Sequence, residues 1–221
     1  MFTLTRRHCA ALFGTTISVM IGAVAFVPPT AAHADQLAGG RVVKGQIETT
    51  YFALGGPDPH RLWGRTLTDE LADRRGGKYQ VFENDASIYW NPGADGGNAH
   101  AIGGAIRSAW GKTGWETGPL GYPVSDERRV NTAGDPILGW GAQVAGAWND
   151  FQNGGKIMWT PQTGAHPVLG EIGKTFDRAG GVAKYGWPTG PERLNAADGT
   201  FTQDFQKGSI TWPAAQNGVL R

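Results

Sequence analysis

From about residue 41 onward, apolar residues follow a pattern that is itself repeated. Val43, Ile47 and Tyr51 fall at i, i+4 and i+8, with Gly45 between the first two. Ile102, Ile106 and Trp110 share this frame with Gly104, and Val168, Ile172 and Phe176 share it with Gly170. A spacing of four stacks side chains on one face of a helix, so each triplet predicts a short amphipathic helix. Glycine costs a helix interior about 1 kcal/mol relative to alanine. Its return at one place predicts a neighbouring backbone lying close to it.

Each helix is followed by a turn and then by a paired apolar motif. Trp63-Gly64-Arg65-Thr66 with Thr68-Asp69-Glu70 corresponds to Leu120-Gly121-Tyr122-Pro123 with Ser125-Asp126-Glu127, and to Tyr185-Gly186-Trp187-Pro188 with Gly190-Pro191-Glu192. Glycine and proline two apart predict a turn. Phe82, Phe151 and Phe205 then each precede a short polar stretch and an Ile-x-Trp sequence: Ile88/Trp90, Ile157/Trp159 and Ile210/Trp212. This predicts a β-hairpin whose second strand alternates its faces, with its Ile-x-Trp face towards the core. Pro92, Pro161 and Pro213 close the three copies. The expected fold is α+β: tandem repeats of short helix, Gly-x-Pro turn and β-hairpin, packed into one compact domain. The repeats run over about 41–92, 99–161 and 165–213, with a Gly/Ala-rich insertion between Asn131 and Trp148. A unit of about 60 residues buries little core by itself, so neighbours are expected to share one.

Leu120-Gly121-Tyr122-Pro123, with Ser125-Asp126-Glu127 behind it and Phe151 and Ile157-x-Trp159 closing the unit, resembles an LGFP repeat. The resemblance extends over about residues 40–213. It implies an exported cell-envelope protein of mycolic-acid-bearing actinobacteria. Such repeats stand alone or beside mycolyltransferase, esterase or amidase domains, and the resemblance implies binding to the cell wall through its arabinogalactan. Only the second copy carries the complete turn. The third has Tyr185 for the leucine and Gly190-Pro191 for the Ser-Asp pair, and the first has Arg65-Thr66 in place of aromatic and proline.

The first thirty-four residues follow a different logic. Arg6 and Arg7 precede an apolar run from about Ala10 to Val27, and Ala32-His33-Ala34 offers small residues for cleavage. This reads as a signal peptide over residues 1–34. Roughly 18 residues diluted by Gly and Thr and ended by Pro28-Pro29 are marginal for a membrane span. General secretion and the twin-arginine route both remain open. Cys9, the one cysteine, lies upstream of the cleavage point. The mature chain therefore has neither thiol nor disulfide, and is expected to be secreted or wall-associated with no membrane span.

Composition then removes whole classes of function. A net charge of +1 supplies no electrostatic footprint for nucleic acid or an anionic membrane. The 35 glycines are about twice the usual share and follow no three-residue period, so collagen is excluded. Gly111-Lys112-Thr113 and Gly173-Lys174-Thr175 lack the earlier glycine of a phosphate-binding loop. There is no Gly-x-Ser-x-Gly elbow and no His-Glu-x-x-His. His60, His100 and His166 are far apart, and the last two precede equivalent helices, where a local contact is favoured over a metal site. No metal or cofactor is expected.

Neutral glycans are recognised by aromatic faces and polar side chains. Tyr122 and Trp187, at the variable position of the turn, are the expected exposed rings. Trp63 and Trp115, tryptophans that do not recur in the other copies, join them as ligand-binding candidates, with Trp140 and Trp148 also unrepeated. Asp126 and Glu127 are candidates for polar contacts, although bracing the turn is the favoured role for them and for Asp69-Glu70. The expected function is a non-catalytic module binding envelope polysaccharide through the turn aromatics. Two alternatives stand beside it: an envelope hydrolase or transferase using Asp126 and Glu127 as acid and base, and a protein-interaction factor of the envelope.

Overall fold

The computed structural model describes residues 36–38, 40–57, 63–131 and 144–213. The expected signal peptide, His60, Trp140 and most of the Gly/Ala-rich insertion lie outside them. The chain is α+β. A ribbon of β1 (Gln36–Ala38) and β2 (Arg41–Val43) leads into α1 (Gly45–Ala53). An antiparallel sheet follows, with β3 (Leu71–Ala72), β4 (Lys78–Phe82), β5 (Ala86–Trp90) and β6 (Ala99–Ile102) in that spatial order. The same order returns as α2 (Gly104–Lys112), then β7 (Arg128–Asn131), β8 (Val144–Asp150), β9 (Lys156–Thr160) and β10 (Gly164–Val168). Last come α3 (Gly170–Arg178), α4 (Gly181–Tyr185) and a sheet of β11 (Arg193–Asn195), β12 (Thr200–Phe205) and β13 (Gly208–Pro213).

Each of the three longer helices lies on the sheet that follows it: α1 on β5 and β6, α2 on β9 and β10, α3 on β13. β6 is thus covered by α1 and then leads into α2, and β10 repeats this between α2 and α3. The apolar triplets explain the contact. Ile47 and Tyr51, Ile106 and Trp110, and Ile172 and Phe176 are all buried on the inner faces of their helices. The helix aromatic meets the hairpin phenylalanine in every copy, with ring centroids 4.6 Å apart for Tyr51–Phe82, 5.8 Å for Trp110–Phe151 and 5.0 Å for Phe176–Phe205. Where the helix ring has a polar handle, the handle is used: Tyr51 Oη donates to the Gly64 carbonyl and Trp110 Nε1 to that of Gly121.

A buried amide fastens each unit. Gln80, Asn149 and Gln203, each two residues before the hairpin phenylalanine, are fully buried. Gln80 Nε2 donates to the carbonyls of Val42 and Thr68. Asn149 Nδ2 donates to those of Ala101 and Ser125, and Gln203 Nε2 to those of Pro167 and Gly190. One amide thereby ties the strand entering the helix to the turn leaving it, and satisfies two buried carbonyls at once.

The recurrent glycine has a different cause from the one expected. Gly45, Gly104 and Gly170 are the first residues of their helices, with φ of +54°, +50° and +52°. A Cβ added to any of them meets nothing within 4 Å. No backbone crowds them. The strand turns sharply into the helix there through the left-handed region, which glycine adopts without the steric cost other residues bear. Val43, Ile102 and Val168 accordingly close strands instead of lying on the helices.

Candidate functional site

The turn aromatics are not exposed platforms. Tyr122 is 2% exposed, which corrects the expectation for its ring. Its hydroxyl donates to Asp73 Oδ2 at 2.8 Å and accepts from Asn91 Nδ2 at 2.9 Å, and the Arg75 guanidinium lies over its face. All three partners belong to the preceding unit. The ring enters a socket that a side chain would close: a Cβ on Gly77 would lie 2.9 Å from the Tyr122 hydroxyl. Burial first, and the Asp73 carboxylate next, push the Tyr122 phenol well above its ordinary pKa. Trp187 repeats the arrangement one unit on. It is half-buried, and a Cβ on Gly146, which occupies the place of Gly77 one residue before Ala147, would lie 2.3 Å from its ring. The turn aromatic is a plug seated in the previous unit. The first copy, whose plug position is Arg65, leaves that residue exposed; in the third copy Thr200 stands at the socket position.

The other candidates separate into scaffold and cleft. Trp115, at φ +56°, lays its ring on Gly111 of α2, edge-on to Trp110 and beneath the Arg107 guanidinium. Trp148 is half-buried opposite Trp187. Asp126 and Glu127 diverge. Asp126 Oδ1 accepts from the Ala101 amide at 2.9 Å and lies 3.6 Å from His100 Nδ1, whose Nε2 contacts Asp95 at 2.7 Å. Burial opposes charge on His100, but its contacts with Asp126 and Asp95 outweigh this and raise its pKa above the ordinary 6.5. Burial likewise acts to raise Asp126, yet the His100 contact and the Ala101 amide hold it below the usual range. His166 makes a local contact with the Thr163 carbonyl. Glu127 turns the other way and pairs with Arg129.

Glu127 and Trp63 do meet. They line one open cleft of about 350 Å³, together with Asn84, Arg129, Trp159 and the start of α2 from Gly103 to Ile106. Trp63 is nearly buried, and its ring edge backs the wall at Gly103; Trp159 is the more exposed of the two indoles. The hairpin places Trp159 beside Ala147, whose small side chain keeps the opening clear. The cleft therefore offers indole surface beside one carboxylate, one guanidinium and one carboxamide. Such a set accepts and donates hydrogen bonds to an uncharged polyhydroxylated ligand while covering its apolar face. Trp159, Arg129, Asn84 and Ala105 were not candidates from sequence. The Ile-x-Trp alternation places Trp159 on the inner face, and only the position of the helix start reveals that this face opens at its edge. Among the described residues no three His, Cys, Asp or Glu side chains cluster as metal ligands, and no helix is long and apolar enough to cross a membrane.

Recurring helices, sheets, amide fasteners and aromatic plugs define a tandem-repeat α+β protein. The LGFP repeat matches residues 64–118 and 120–183, more than half of the chain, and the chain belongs to the LGFP-repeat family. Each match opens at the turn and runs through the hairpin into the next helix. These repeats occur in cell-envelope proteins and are generally non-catalytic. No curated protein matches the chain.

Proposed function

We propose that this chain is a non-catalytic envelope module that binds wall polysaccharide of the arabinogalactan kind in the cleft between Trp63, Trp159 and Glu127. Residues 1–34 direct export and are removed, and the remainder folds as one domain of three repeats. The cleft's composition carries the reading: two indoles with a carboxylate, a guanidinium and a carboxamide suit a neutral sugar better than a charged or purely apolar ligand. Of the six candidates, Glu127 contacts the ligand, while Trp63 backs the cleft wall from beneath. Tyr122, Trp187, Trp115 and Asp126 hold the scaffold that shapes the cleft.

The acid–base alternative has less support. A general acid needs a raised carboxyl pKa, whereas Asp126 is held low by His100 and a backbone amide. Asp126 and Glu127 also point to different partners. The test is co-sedimentation of the mature chain with purified insoluble wall, repeated after removal of its neutral polysaccharide and, separately, of its peptide stems. Retention should be lost with the polysaccharide and survive removal of the peptides. Retention that follows the peptides would overturn the polysaccharide reading, and steady release of soluble sugar by the native chain would overturn the non-catalytic one.

A further inference from the structure

A second opening, of about 430 Å³, lies at the start of α1. Its wall uses the same structural positions as the first. Gln46 and Ile47 stand where the other has Ala105 and Ile106, Glu70 where it has Glu127, and the cross-strand pair Lys78/Trp90 where it has Ala147/Trp159. Openings that recur at matching positions of successive repeats belong to the architecture of the repeat.

The two differ in polarity, and the difference points to a ligand. Glu48 lines the opening at α1, is 1% exposed, and has no hydrogen-bond donor for either carboxylate oxygen among the described residues. A buried carboxylate without donors is costly, and hydrogen bonds to a charged acceptor are among the strongest available. The opening sets two lysines, Lys44 and Lys78, against two carboxylates, Glu48 and Glu70, so a cation finds no excess of negative charge there. Lys78 is itself held by Glu70, so the opening is not a simple anion site either. Neighbouring hydroxyls of a neutral sugar satisfy Glu48 without adding charge, and Trp90 offers the adjacent ring. We propose that this opening is a second saccharide site, so that one chain grips a linear polysaccharide at two points. It rests on the polysaccharide reading above. Two weak sites on one polymer then give avidity that neither provides alone.

The test is an NMR titration of the mature chain with a neutral disaccharide released from the wall by mild acid, paired with retention on insoluble wall. The native chain should show two sets of amide shifts, around residues 45–49 and 103–107. Glu48→Gln preserves shape, should melt no lower than the native chain, and should weaken the first set about tenfold while sparing the second. Ala105→Glu fills the other opening at an exposed position where the third repeat already carries Glu171, and should do the reverse. Each variant should be retained on wall about tenfold more weakly than native, and the pair not at all. Should Glu48→Gln fold poorly, Gln46→Arg, at an exposed lining position, replaces it. Shifts confined to residues 103–107, with Glu48→Gln retained as well as native, would overturn the second site while leaving the polysaccharide reading intact. No shifts at either opening and no retention of the native chain would remove both.

Discussion

Tyr122→Phe separates a plug from a ligand platform. The substitution keeps the ring and its stacking surface and deletes only the hydroxyl, which donates to Asp73 and accepts from Asn91 across the boundary between two repeats. A hydrogen bond to a charged partner contributes about 1.5–3 kcal/mol net. Asp73 keeps its other oxygen engaged with the Arg75 and Gly77 amides, and both Asp73 and Asn91 are only half-buried, so water can replace part of what is lost. The lower half of that range, about 1.5–2 kcal/mol, is the expected cost. For a domain of this size it corresponds to a fall in Tm of roughly 3–8 °C. Guanidinium denaturation followed by tryptophan fluorescence measures it, with a shifted midpoint and an unchanged slope. A platform tyrosine would lose nothing, because its face is intact. A stability change within about 0.5 kcal/mol of zero would refute the plug.

The same joint predicts that Gly146→Ala, which drives a Cβ into Trp187, costs about 1–3 kcal/mol; calorimetry showing no loss would mean that the ring does not occupy that socket. Stability should also depend on pH through His100. Its pKa is raised on folding, so its contribution is complete below the unfolded value near 6.5 and is lost as pH rises through the folded one, while the lowered Asp95 and Asp126 contribute above about 3.8 and lose this as pH falls further. His100→Gln should abolish the loss on the alkaline side, and melting curves from pH 4 to 9 would expose a failure of this linkage. N-terminal sequencing of exported protein should begin near Asp35, and a full-length chain embedded in the membrane would reject cleavage.

How much of this could be read from the residues depends on how far apart the cooperating groups lie. The helices and hairpins follow from local spacing: Ile47/Tyr51 and Phe82 with Ile88-x-Trp90 need only their own unit. The expected one-sided burial does not hold for β5 and β9, where Ser87, Tyr89 and Met158 are buried along with Ile88 and Ile157 and the tryptophans are only half-buried. Gly45, Gly104 and Gly170 were visible as a repeat but misassigned, because sequence cannot distinguish a glycine kept for its φ from one kept for a close neighbour. Gln80, Asn149 and Gln203 are equally regular. Their role depends on two carbonyls that only the fold brings within reach, so a polar residue amid apolar ones carried no message by itself. The turn aromatics misled for the same reason. Tyr122 finds its partners at Asp73, Gly77 and Asn91, in the preceding repeat and invisible from the turn. The cleft is the extreme case, since Trp63, Ala105, Glu127 and Trp159 come from four segments and two repeats.

The central claim, that the ligand occupies the cleft and not the turn, is tested most directly by comparing retention on insoluble wall of the native chain, Ala105→Glu and Tyr122→Phe. All three must be measured at a temperature where each is folded by circular dichroism. The account predicts that Ala105→Glu binds about tenfold or more weakly while Tyr122→Phe binds like the native chain despite its lower Tm. Full retention of Ala105→Glu, folded as the native chain is, would contradict it and move the site out of the cleft.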